Sequence, residues 1–303
     1  MTLFDGDTID VSFIIKIQKK YKMKFLRILP LVLVTIFGSC TSDNDEIVVA
    51  ELDGITKIQE ITNDTHAIEI YSATGTLQQG YNAISLRIKN KTTSEYEKSA
   101  TVTWAPLMHM TSIQHACPFS LVSKTSGKET LYDGYIVFQM ADNATEYWEL
   151  AVNYTLNGKA YTAKSRIAVP ASAKQRVTTF TGTDGVKYIL ALIEPKGPKV
   201  ATNDMTVGVF KMKDMTMMQF PVVDNFKVKI DPRMPSMGNH GSPNNVDLTQ
   251  MTAGGIYNGK LSLTMTGYWK INLQLLNASG TVLKGETISD AVPASSIYFE
   301  IEF

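Results

Sequence analysis

Five residues recur in this chain at one fixed spacing, and two of them belong to rare types. His115, Pro118, Tyr132, Gly134 and Met140 are followed 125 positions later by His240, Pro243, Tyr257, Gly259 and Met265. A Tyr-Trp pair closes both series, at 147–148 and at 268–269, with four residues fewer before the second pair. His, Met and Trp are rare residues, so their shared spacing indicates a repeated unit rather than chance. The sequence therefore predicts two similar domains in tandem.

Residues 1–39 are typical of an export signal. From Met23, the better start of translation, Lys24 and Arg27 precede a ten-residue apolar stretch at 28–37. Ten apolar residues are too few to span a bilayer, and the Gly-Ser-Cys that follows is typical of a processing site. This segment resembles the lipobox of bacterial lipoproteins, which implies cleavage before Cys40 and acylation of its thiol. Residues 40–57 are then predicted to form the lipidated start and a flexible tether.

A lipid on Cys40 implies a protein of the cell envelope, anchored to the outer membrane and either periplasmic or surface-exposed. The acidic residues after Cys40 resemble a stretch that sends some Bacteroidetes lipoproteins to the outer face of that membrane. Removing residues 1–39 takes away six of the 29 Lys/Arg and three of the 29 Asp/Glu, which leaves a net charge near −3. That charge, without a basic cluster, argues against nucleic acid as a partner.

Alternating apolar residues predict many short strands. The segments 82–88 and 203–209 alternate in the same way, and so do 148–154 and 269–275. Alternation of this kind is typical of half-buried strands, while no segment has a convincing helical period. We therefore expect an all-β chain made of two tandem immunoglobulin-like antiparallel β-sandwich domains. The predicted domains are 58–170 and 171–303.

A segment rich in methionine and histidine opens each repeat. The first contains Met108, His109, Met110 and His115, and the second contains Met234, Met237 and His240. Thioether and imidazole are soft or borderline ligands that favour Cu(I) over hard cations. Met140 and Met265, near the end of a predicted strand, would each add one thioether. The segments therefore predict Cu(I) sites, and the second copy is expected to be the more complete.

Two structural alternatives stay open for these residues. Methionine is also a flexible core filler, so Met140 and Met265 can be packing residues, and the loops can simply cap the ends of the sandwiches. Cys117 is the only thiol left once Cys40 is acylated, which excludes an intramolecular disulfide. Ser242 stands in its place in the second copy, and this favours a buried, inert thiol over a ligand.

The second copy also resembles a known family. Its Pro232-x-Met234, Met237, His240-Gly, Gly255-x-Tyr257 and Met265-x-Gly-x-Trp269 pattern is similar to that of YtkA-like/FixH-like domains. The first copy departs more, since Met108-His109-Met110 replaces the paired methionines. The resemblance implies extracytoplasmic β-sandwich domains of the kind found near genes for copper handling and haem-copper oxidase assembly.

These observations support two functions of different class. The first is an envelope lipoprotein that binds Cu(I) for buffering or for delivery, with a copper donor or acceptor protein as partner. The second is a structural or interaction lipoprotein that binds another protein or a glycan. An enzyme is not expected, because no phosphate loop, nucleophile elbow or His-Glu zinc motif is found. The two functions differ in whether the Met and His side chains converge on one point.

Overall fold

The structure is a computed structural model, and it describes residues 51–212 and 219–303. The predicted signal, Cys40 and residues 41–50 of the predicted tether lie outside the described residues. The described residues fall within one compact unit. Within these ranges, no helix has the length and apolar character needed to cross a membrane.

The described chain is almost entirely β, as the alternating patterns predict. The first half has β1 (Thr56–Thr62), β2 (His66–Ser72), β3 (Gly80–Asn90), β4 (Thr101–His109), β5 (Gln114–His115), β6 (Ser123–Lys124), β7 (Tyr132–Phe138), β8 (Tyr147–Leu156) and β9 (Lys159–Ile167). The second half has β10 (Val177–Thr181), β11 (Lys187–Glu194), β12 (Thr202–Lys211), β13 (Lys227–Met234), a 3-10 turn (Pro235–Met237), β14 (His240–Gly241), β15 (Val246–Gln250), β16 (Tyr257–Ser262), β17 (Tyr268–Leu276), β18 (Val282–Lys284) and β19 (Tyr298–Glu302). The strands pair antiparallel in both halves, which confirms the predicted all-β, antiparallel fold class.

Strands pair in the same order in the two halves. In the first half one sheet runs β1-β2-β3-β7-β6 and a second runs β5-β4-β8-β9. In the second half β10-β11-β12-β16-β15 repeats the first order, and β14-β13-β17-β18 repeats the other. There β15 also pairs with β13, so the second half forms one continuous sheet. The Met/His segments therefore begin at the ends of equivalent strands, β4 and β13.

Inward-facing residues of each half form a separate hydrophobic core. The first core includes Trp104, Trp148 and Phe138, and the second includes Trp269 and Phe299. A third cluster draws on both halves, because Val137 of β7 packs with outward residues of β10, β11 and β12. Burial of apolar area stabilises each core, and the third cluster joins the two halves. The domain boundary at 170/171 remains a prediction, since the contacts do not separate the halves.

The recurring tyrosine makes the same two hydrogen bonds in each half. The hydroxyl of Tyr132 accepts from the backbone N–H of Ala100 at 2.8 Å and lies 3.5 Å from the carbonyl of Glu97. The hydroxyl of Tyr257 accepts from Phe226 N–H at 3.2 Å and donates to the carbonyl of Val223 at 2.6 Å. Each tyrosine thereby fixes the chain just before β4 or β13, the strand that carries the Met/His segment.

Two more recurring side chains bind the backbone in matching ways. The indole N–H of Trp148 donates to the carbonyl of Met140 at 3.0 Å, and that of Trp269 donates to Met265 at 3.0 Å. Asn82 and Asn203 each exchange hydrogen bonds with the residue four positions earlier. These contacts give the recurrence of Trp, and of the Asn in the matching strands, a structural cause.

Candidate functional site

Each predicted metal-binding segment is a hairpin that follows β4 or β13. Met108 pairs with His115 in the first half, and Met234 pairs with His240 in the second. The first hairpin turns through a hydrogen bond of 3.0 Å from Met110 N–H to the carbonyl of Ile113. The second turns through Pro235–Met237, after which Gly238 takes a φ of 62°. A methionine and a histidine thus occupy neighbouring strands at equivalent places in both halves.

The first methionine of each hairpin is a core residue. Met108 has an exposed fraction of 0% and Met234 of 3%, and each belongs to the hydrophobic cluster of its half. Met234 also packs closely against Gly267, where a Cβ atom would lie 2.9 Å from its Cε. The thioether is apolar enough to fill a core. An ion bound by either sulfur would therefore have to lie inside the sandwich.

The other predicted ligands of the second half lie in different surroundings. Met237 is 53% exposed on the 3-10 turn, His240 is exposed, and Met265 is half-buried. Met234 and Met237 therefore do not share an environment, since one faces the core and the other faces solvent. Met234, Met237, His240 and Met265 remain predicted ligands, but no described contact joins their donor atoms.

His109 faces the outer surface of its sheet. Its ring stacks on Tyr147 with 4.8 Å between the centroids and 6° between the planes. Its Nδ1 accepts from the Gln114 amide at 3.0 Å, and its Nε2 lies 3.8 Å from a carboxylate oxygen of Glu149. Met110, the next residue, packs instead against the first core. The two neighbours thus belong to different surroundings.

His115 and Met140 are the two predicted ligands that the structure brings into contact. The Nε2 atom of His115 lies 3.3 Å from the sulfur of Met140, and both side chains are half-buried. The Nδ1 atom of His115 lies 2.9 Å from the carbonyl oxygen of Ala116. The His115 ring also meets Trp148 edge to face at 5.5 Å between the centroids. Trp148 in turn holds the Met140 carbonyl, so one indole organises both residues.

The hydrogen bond to Ala116 determines where the imidazole proton lies. A carbonyl oxygen only accepts, so Nδ1 of His115 donates and carries the proton. In the neutral ring Nε2 then has a lone pair, and it faces the thioether sulfur of Met140, which is also an acceptor. Two lone pairs therefore lie close together, and a cation placed beside them could accept both.

This donor set fits a soft metal ion. A histidine that binds a metal usually donates its other ring N–H to a carbonyl or carboxylate, as His115 does. Thioether sulfur favours Cu(I) over hard cations. In the described ranges no group of three His, Cys, Asp or Glu side chains is arranged to hold a metal. Cys117 is fully buried and burial raises the pKa of its thiol, which keeps it protonated and inert, as the sequence suggested.

Sequence reasoning named His115 and Met140 but ranked the second copy above them. The resemblance to a family pattern depends on residue identities, and these do not indicate which way each side chain points. The carbonyl of Ala116 and the ring of Trp148 orient the imidazole of His115. Nothing in the sequence indicates that either residue contributes to a metal site. Comparison with protein-family models and with curated proteins finds no match for the chain.

Proposed function

We propose that this protein is a non-catalytic lipoprotein of the bacterial cell envelope that binds Cu(I) through its first half, for buffering or for delivery to a partner protein. The observation that carries the proposal is the contact of 3.3 Å between Nε2 of His115 and the sulfur of Met140. His115 and Met140 would hold the ion. Met110, which packs at the edge of the same core, is the candidate for a third donor.

The chemistry of this pair suits an ion that must later be released. A thioether and a neutral imidazole both bind through lone pairs, so they add no negative charge to the site. Thioether sulfur makes the pair selective for the reduced ion. Selective but moderate affinity is what a buffer or a donor needs.

The organisation of the molecule also belongs to this proposal. We propose two tandem immunoglobulin-like domains, 58–170 and 171–303. Supporting observations are the common strand order and the matching bonds of Tyr132 and Tyr257. The YtkA-like resemblance and the outer-membrane location stay proposals that rest on sequence. For the lipid anchor, Cys40→Ala should abolish labelling with a fatty-acid analogue; labelling that persists would refute it.

A competition titration tests the copper proposal. The purified full-length protein in detergent is titrated anaerobically with Cu(I) against a calibrated chelator. Met140→Leu keeps the volume and removes the sulfur, so we expect folding to survive and Cu(I) affinity to fall by at least about tenfold. Met237→Leu is the matched control, because Met237 is exposed on the 3-10 turn of the second half. Its affinity should equal that of the wild type.

Two outcomes would change the proposal. If Met237→Leu loses affinity and Met140→Leu does not, the site lies in the second half, as the sequence pattern alone suggests. If the wild type takes up no Cu(I) against a micromolar chelator, copper binding is wrong.

The second candidate is a structural or interaction lipoprotein. Two observations favour it: the recurring Tyr and Trp make hydrogen bonds that hold the fold, and Met108 and Met234 fill the cores. Such a protein needs no convergence of Met and His. It predicts no measurable Cu(I) uptake and no difference between wild type, Met140→Leu and Met237→Leu.

A further inference from the structure

A small cleft lies where the β2–β3 turn of the first half faces the end of β11 in the second. Its volume is about 210 Å³, and its lining includes Ser72, Thr74, Tyr81, Arg176, Leu192 and Lys196. A cleft of this size suits a small molecule rather than a segment of protein.

The guanidinium of Arg176 lines this cleft with most of its N–H donors unpaired among the described residues. It is half-buried, and one of its N–H groups donates to the carbonyl of Pro195 at 3.0 Å. A guanidinium has five N–H donors, and the others have no hydrogen-bond partner among the described residues. Burial lowers the pKa of Arg176, against the opposing effect of the Glu194 charge. The side chain is thus a cation held partly out of water.

Glu194, the carboxylate whose charge acts on Arg176, already has other partners. Its carboxylate accepts from the backbone N–H of Lys196 at 2.8 Å and lies 4.0 Å from the Lys196 ammonium. Among the described residues no carboxylate forms an ion pair with Arg176. A desolvated cation without a paired anion costs free energy, and an anion that enters the cleft would offset that cost.

The opposite wall of the cleft has little left to donate. The hydroxyls of Ser72 and Thr74 both donate to the carbonyl of Thr76, at 3.1 and 2.9 Å. The Asn82 amide donates to the carbonyls of Gln78 and Gly80. These bonds make the wall rigid. The guanidinium of Arg176 and the phenol of Tyr81 remain for a ligand. The Lys196 ammonium lies 4.0 Å from Glu194, too far for a hydrogen bond, so it can also donate to a ligand.

We propose that this cleft binds a small monocarboxylate, with Arg176 as its main contact and Lys196 as the second. The charged side chains of the lining are Arg176 and Lys196, and Glu194 beside Lys196 offsets one of these charges, so a monoanion would complete the balance. The planar guanidinium suits the two oxygens of a carboxylate, and such charge-assisted hydrogen bonds are among the strongest in proteins. The site goes beyond the proposed copper function and does not depend on it.

Binding of D-glucuronate and D-glucose to the full-length protein tests the proposal, because the two sugars differ in the carboxylate. Isothermal calorimetry or NMR titration should show that glucuronate binds and glucose does not. Arg176→Gln should weaken glucuronate binding by at least about tenfold. Arg233→Gln is the matched control, since Arg233 is already paired with Asp231 at 2.6 and 2.9 Å. This variant should bind glucuronate as well as the wild type does.

Lys196→Gln provides a second variant at an exposed position, where folding is not at risk. It should weaken glucuronate binding severalfold, and added salt should weaken glucuronate binding by the wild type.

Equal binding of glucose, absence of glucuronate binding, or unchanged binding in folded Arg176→Gln would each overturn the proposal. If Arg176→Gln does not fold, unchanged binding in Lys196→Gln overturns it. Sulfate that competes as well as glucuronate would show a general anion site instead. Cu(I) uptake by Arg176→Gln should equal that of the wild type, which separates this proposal from the copper site.

Discussion

At the scale of single residues, His66 couples the stability of the first half to pH. Its side chain is almost fully buried, its Nδ1 lies 2.9 Å from the Thr65 hydroxyl, and its ring meets the edges or faces of Tyr154 and Tyr161. Burial lowers the pKa of His66; the charge of Glu97 opposes this shift and the charge of Lys159 adds to it. The folded protein therefore takes up this proton less readily than the unfolded chain.

The sign of the pH effect follows from that difference. Because the pKa of His66 is lower in the folded state, its contribution to stability is fully present above the unfolded value of about 6.5. It is lost as the pH falls from there towards the folded pKa. We expect the free energy of unfolding, measured by urea titration, to fall more steeply below about pH 6.5 in the wild type than in His66→Gln. Equal slopes would contradict this account.

At the scale of elements, one tyrosine in each half fixes the approach to the strand that carries the Met/His hairpin. Tyr257→Phe removes the hydroxyl that joins Phe226 N–H to the carbonyl of Val223, and leaves both groups without that partner. We expect a loss of about 1–3 kcal/mol in the free energy of unfolding. Tyr298→Phe, at a half-exposed position, is the comparison and should cost less than about 0.5 kcal/mol.

Local signals in the sequence predict elements well in this chain. Asn157-Gly158 predicts a hairpin turn, and the structure joins β8 to β9 there with φ values of 49° and 78°. Alternation predicts the paired strands of both halves, because the polarity of each strand residue indicates which face of the sheet its side chain occupies. The direction of a loop side chain has no such signal. Met234 and Met237 look equivalent in the sequence, yet the first is buried in the core and the second is exposed.

Contacts between distant segments are harder still to predict. Arg176 faces a cleft only because the chain returns to place β3 beside β11. The contact between His115 and Met140 depends on Trp148, which holds the Met140 carbonyl from a third strand. The residue types at the candidate site could therefore be predicted, but not which of them meet.

At the scale of the whole molecule, a shared hydrophobic cluster couples the two halves. Val137, Ile189 and Ala191 are fully buried there, and Tyr81 and Tyr135 pack against them. Ile189→Ala should cost about 2–5 kcal/mol and weaken the coupling, because it opens a cavity in this cluster. We expect one calorimetric transition in the wild type and two in the variant. A single, uniformly lowered transition would show that the halves stay coupled without Ile189.

The central claim is that Nε2 of His115 offers a lone pair to a cation shared with the sulfur of Met140. Nitrogen-15 NMR of the imidazole rings in the full-length protein at pH 8 measures this directly. We predict that His115 carries its proton on Nδ1, as its bond to Ala116 requires, and that Cu(I) shifts the Nε2 resonance. That shift should disappear in Met140→Leu. A proton on Nε2 that persists at pH 8, with a resonance that Cu(I) does not move, would contradict the account.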